Sequence, residues 1–289
     1  MVVTECDGFS SATEFANIVA MADDQLNLFS HSSLAATPSS LPRPCLAVVV
    51  GAMADDELIA AIAGTHAGMA DTVALAEEAG LRKLASAVPA LATVCRRFTG
   101  FGTDAPVPEQ VAAISALAAI GGPKAADAVA RTIERREVTG QTLAVAVWAA
   151  ARLESILPID IIVELLRHAA PAVRADACRC SRADRSVIAV LADLLDDLNA
   201  TVHTAAACAL GRMGRPMALP ALAKLLDAAP TIEVVEAAAA AVADDDTVVL
   251  LGRLARNRPD LADAVVDALD ACDTALAAKV AASLRSGRR

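Results

Sequence analysis

The chain has 289 residues, 56% of them hydrophobic but only 2% aromatic, with one Trp, no Tyr and a net charge of −10. A duplex nucleic-acid surface needs an excess of Lys and Arg, so this balance argues against direct duplex DNA binding. No apolar run of about 18 residues is present to span a membrane, and Met1–Asp7 offers neither the basic nor the long apolar region of a secretory leader. Ala supplies about a quarter of the residues, which favours helices that approach one another closely. Seven Cys, scattered and odd in number, suit a reducing cytoplasm better than a disulfide framework.

Residues 1–44 differ from the rest of the chain. Ser11 with Glu14 three residues later reads as a capping box, and Phe15, Ile18, Val19, Met21 and Leu26 give an amphipathic helical pattern. His31–Pro44 is rich in Ser and Pro and reads as a linker, which places a domain boundary before residue 45. Gln25-Leu26-Asn27-Leu28-Phe29 resembles the pentapeptide by which bacterial proteins dock on the DNA sliding clamp, Gln-Leu-(Ser/Asp)-Leu-Phe. In that reading Leu28 and Phe29 enter an apolar pocket, Gln25 hydrogen-bonds nearby, and the linker tethers the motif. The plainer reading has Leu26, Leu28 and Phe29 covering the first apolar face of the domain that begins at residue 45.

From residue 45 to 289 the sequence repeats. The clearest unit runs from Ala205 to Leu226. Its first helix ends at Gly214-Arg215-Pro216, where Gly accepts a left-handed cap and Pro cannot extend the ladder. Pro220 then opens a second helix with Leu222, Leu225 and Leu226 on one face. With Leu210 as reference, counterparts fall at Ala79, Leu117, Ala150, Ser181, Val242 and Leu269, a period near 30 residues. Phe98–Pro108 lengthens one connection and sets Phe98 and Phe101 beside Arg96 and Arg97, as a candidate binding loop or as packing between repeats.

The Ala-Leu-Gly-x-x-Gly-x-Pro core at Ala209–Pro216 and the Val173-Arg174 entry are similar to HEAT repeats, more narrowly the bacterial HEAT-like repeats also found in phycobilisome lyase subunits. The resemblance implies an all-α solenoid of about seven helical hairpins that works as a protein-interaction scaffold or adaptor. It implies a ladder in which Arg174, and His203 in its place one unit on, bond an Asp such as Asp176, Asp196 or Asp197. It also implies that second helices line the concave face, which makes Glu134, Glu164, Asp193 and Lys224 candidate partner-binding residues. An acidic inner face there would suit a basic segment. Bilin lyases and alkylpurine DNA glycosylases are the enzymatic alternatives that the resemblance leaves open, the latter through an electropositive groove around Trp148.

The residues point to no catalytic site, metal or cofactor. Gly100-Phe101-Gly102 lacks the third Gly of a phosphate loop, and none of the four His residues stands in a His-Glu pair. Cys178, Cys180 and Cys208 read as small buried side chains. His168, at a helix end, reads as a cation on the helix dipole.

Overall fold

The computed structural model describes residues 49–65, 71–97, 105–241 and 245–286. Residues 1–48, which hold the amphipathic stretch, the linker and Gln25–Phe29, lie outside the described residues, as do Phe98 and Phe101. Fifteen α-helices lie wholly within the described residues, and no strand occurs among them.

Seven helices form a first layer: α2 (Asp71–Leu81), α4 (Pro108–Ile120), α6 (Gly140–Arg152), α8 (Pro171–Cys180), α10 (Ala200–Arg212), α12 (Ile232–Ala240) and α14 (Ala262–Asp270). Each packs on the next in that order. The second layer comprises α1 (Asp55–Gly64), α3 (Val88–Arg97), α5 (Gly122–Glu134), α7 (Ile159–Leu166), α9 (Arg185–Asp193), α11 (Leu219–Ala228), α13 (Asp245–Asn257) and α15 (Ala275–Ser286). The described residues therefore form seven consecutive hairpins, α2/α3 to α14/α15, preceded by α1. This is the all-α solenoid that the repeat period predicts.

The core is one continuous apolar seam between the layers. Ala79, Leu117, Ala150, Leu210 and Leu269 are each fully buried at the expected positions. Ser181 differs: α8 stops at Cys180, so Ser181 is its half-buried C-cap and bonds the Ala177 carbonyl through its hydroxyl. The Val242 counterpart lies outside the described residues. Small side chains let the first layer close up. At Gly211 a Cβ would stand 2.6 Å from the Ala237 carbonyl oxygen of α12, so the backbones themselves meet there.

Three first-layer helices end the same way. After α10, Gly214 takes φ 65°, its N–H reaches the Gly211 carbonyl at 2.8 Å and the Arg215 N–H reaches Leu210 at 3.0 Å. Lys83 after α2 and Glu154 after α6 repeat this six-to-one cap at φ 52° and 51°, without a glycine. Each cap reverses the chain into its second helix, so the first-to-second turns of successive hairpins fall along one edge. Contacts along this edge support this: the Ser155 hydroxyl donates to the Ala126 carbonyl near the start of α5 at 3.1 Å, and Arg182 donates to the Ser155 carbonyl at 3.5 Å.

Candidate functional site

The second layer positions the candidate partner-binding residues. Glu134 ends α5, Glu164 sits mid-way in α7, Asp193 ends α9 and Lys224 sits mid-way in α11, and all four are exposed. Each lies opposite the helix stripe that faces the core, which for α7 is Ile162, Leu165 and Leu166. Glu164 also accepts a 2.7 Å bond from Arg136 of the α5–α6 connection. The expected acidic character is diluted, because Arg131, Arg135, Arg136 and Arg167 stand exposed beside these carboxylates.

Arg96 and Arg97 end α3 as the sequence places them. Arg97 is turned to the structure itself: its guanidinium donates to the carbonyls of Ala63 at 2.6 Å and Thr65 at 3.0 Å, closing the C-terminus of α1. Arg96 donates to the Thr93 hydroxyl at 2.9 Å. The start of α4 is fixed by Gln110, which is buried and not legible as special in the sequence. Its amide donates to the carbonyls of Cys95 at 2.7 Å and Glu137 at 2.9 Å. Its partners lie 15 and 27 residues away, so no local pattern announces it.

One rung of the expected ladder forms. Arg174 grips Asp197 with two bonds, 2.9 and 3.1 Å, and donates to the carbonyls of His168 and Ala169. The Arg174 guanidinium, helped by the Asn199 N–H, holds the Asp197 carboxyl below its ordinary range. His203, one unit on, donates through Nδ1 to the Leu195 carbonyl, so there the rung ends on backbone instead of on a carboxylate. His168 Nδ1 accepts from the Ala170 N–H at 3.1 Å, and Arg174 donates to the carbonyls of His168 and Ala169 in the turn before α8.

Cys95, Cys178, Cys180 and Cys208 are buried, and burial pushes the first three thiols up to about 12 and the last to about 11. Among the described residues no three His, Cys, Asp or Glu side chains converge as a metal site, and no helix is long and apolar enough to cross a membrane. Trp148 is half-buried with the Arg152 guanidinium 5.8 Å over its ring. Beside Arg152, between the α4–α5 and α6–α7 turns, lies a cleft of about 540 Å³ with Gly121, Pro123, Leu153 and Ile156 in its walls.

Residues 159–243, from α7 through α12, match the HEAT repeats family. Among solved structures, the X-ray structure of the YibA protein of Escherichia coli is similar at 15% identity and a TM-score of 0.47, over 82% of this chain and 98% of that one. No curated protein sequence matches the chain. The chain is a helical repeat protein.

Proposed function

We propose that the protein is a non-enzymatic scaffold whose second-layer face holds a protein segment, and whose Gln25–Phe29 motif docks on a bacterial sliding clamp. The observation that carries the scaffold reading is the consecutive stack of hairpins, which commits most of its apolar residues to the seam between layers and leaves Glu134, Glu164, Asp193 and Lys224 exposed. HEAT repeats at residues 159–243 support it, because such stacks present long ordered surfaces. The clamp reading rests on the pentapeptide, with Leu28 and Phe29 as its apolar anchors.

Titration calorimetry of the full chain against a purified bacterial sliding clamp tests the docking motif. Binding by the intact chain and none by Gln25→Ala/Phe29→Ala is the expected result. Equal binding by both, or binding by neither, removes the clamp from the reading. For the face, Glu164→Lys/Asp193→Lys is expected to weaken capture of a Lys-rich peptide about fivefold at low salt, read by fluorescence polarisation.

A further inference from the structure

Second-layer neighbours fail to pack closely at two places, α5 beside α7 and α9 beside α11. At the first of them α4 and α6 still pack closely in the other layer, and the cleft of about 540 Å³ opens between the α4–α5 and α6–α7 turns. Two polar contacts cross this gap, one near each end of α5. Near its start, the hydroxyl of buried Ser155 donates to the Ala126 carbonyl at 3.1 Å. Just past its end, Arg136 reaches Glu164 of α7 at 2.7 Å, with the two side chains 70% and 55% exposed. The contacts differ in kind. A buried hydrogen bond is costly to leave unmade, whereas an exposed ion pair is weak and is screened by salt.

The two ends of the ion pair belong to different parts of the stack. Arg136 takes a left-handed φ of 56° in the turn that closes α5, where its N–H reaches the Ile133 carbonyl at 2.9 Å. The Gln110 amide of α4 binds the carbonyls of Cys95 and Glu137, which ties that turn to α3 and α4. Glu164 is carried by α7, which packs on α9. We propose that α5 and α7 open and close about Ser155 and the α4–α6 contact, and that Arg136–Glu164 is the latch that holds them closed. Neighbouring arginines do not duplicate it, because Arg131 lies on Asp127 at 3.3 Å and Arg135 faces Glu137 at 3.8 Å. Opening carries Glu164 away from Glu134, so the latch sets how widely the second-layer face is spread. The inference goes beyond the scaffold reading and needs neither a partner nor the clamp motif.

Pulsed electron spin distance measurement on the full chain reads the separation directly. Spin labels are carried on a ketone-bearing amino acid placed at Glu134 and Arg167, near the far ends of α5 and α7, which leaves the seven Cys untouched. A second sample carries them at Arg167 and Asp193, across the closely packed α7 and α9. The 134–167 pair should show two distances, and the ratio of longer to shorter should rise about threefold between low salt and about 0.5 M salt. Arg136→Gln should show the raised ratio already at low salt and no further response. The reversed pair Arg136→Glu/Glu164→Arg should restore both the low ratio and its response. The 167–193 distance should stay single in every case, which also reports that the variants are folded. One narrow 134–167 distance at every salt concentration would overturn the proposal. So would a salt response that survives Arg136→Gln, a reversed pair that restores nothing, or an equal spread at 167–193.

Discussion

Arg174 and Asp197 show how one pair of side chains joins two units. The carboxylate is 9% exposed and the guanidinium 17%, and the remaining N–H groups close the turn before α8. Removing Arg174 strands a buried carboxylate and two carbonyls, so Arg174→Ala is expected to cost about 3 kcal/mol in urea unfolding. The Asp197 carboxyl is held below its ordinary range, so its contribution is complete above the unfolded value, about 3.9, and fades as pH falls through the lower folded value. Unfolding midpoints between about pH 6 and pH 2.5 should fall in the intact protein, and this part of the fall should be missing from Asp197→Asn. Buried thiols give a second check. Cys95, Cys178, Cys180 and Cys208 should escape iodoacetamide at neutral pH and react on unfolding, with mass spectrometry locating the label. The Arg174 rung could be anticipated through the resemblance to HEAT-like repeats, because Val173-Arg174 stands at a helix start and Asp197 follows one helix later. Gln110 could not, because its partners are backbone carbonyls brought in from distant turns.

Among elements, α10 and its caps carry the repeat's logic. A Cβ on Gly211 meets the backbone of α12, and backbone cannot step aside as a side chain can. Gly211→Ala is therefore expected to lose about 1–2 kcal/mol net, a steric cost of about 1–3 offset in part by better helix propensity. Gly64, with open space around it, should gain a few tenths from the same change. The opposite substitution applies after α6. Glu154 is held in a left-handed conformation that glycine adopts freely, so Glu154→Gly should raise stability by about 0.5–1 kcal/mol, read as a higher urea midpoint at constant slope. Helix count and order were legible from Leu and Ala spacing plus Gly-Pro punctuation, because those signals lie within a few residues. The lengths were not: α8 and α12 are short, and the reference position at Ser181 fell on a cap where the period alone put it in a helix. The bond from Arg182 to the Ser155 carbonyl was hidden for a related reason: its two ends lie in separate units and meet only when the turns stack.

Across the whole molecule, a stack of hairpins transmits order between neighbours only, so damage should spread outward from its source. Leu210 is fully buried in α10, and Leu210→Ala is expected to cost about 2–5 kcal/mol. Native-state hydrogen exchange should show protection falling most in α10 through α15 while α4 keeps its own. The two layers differ in continuity. Every first-layer helix from α2 to α14 packs on the next, but the second layer is broken between α5 and α7 and again between α9 and α11. Mechanically this is a spine with two joints. The first layer, drawn tight by Gly and Ala, fixes the pitch and resists stretching, while the second layer divides into three stiff segments that can rock against it. Bending then concentrates at two places along the stack. A wedge driven between α5 and α7 is therefore expected to change the angle between two segments while the first layer keeps its pitch.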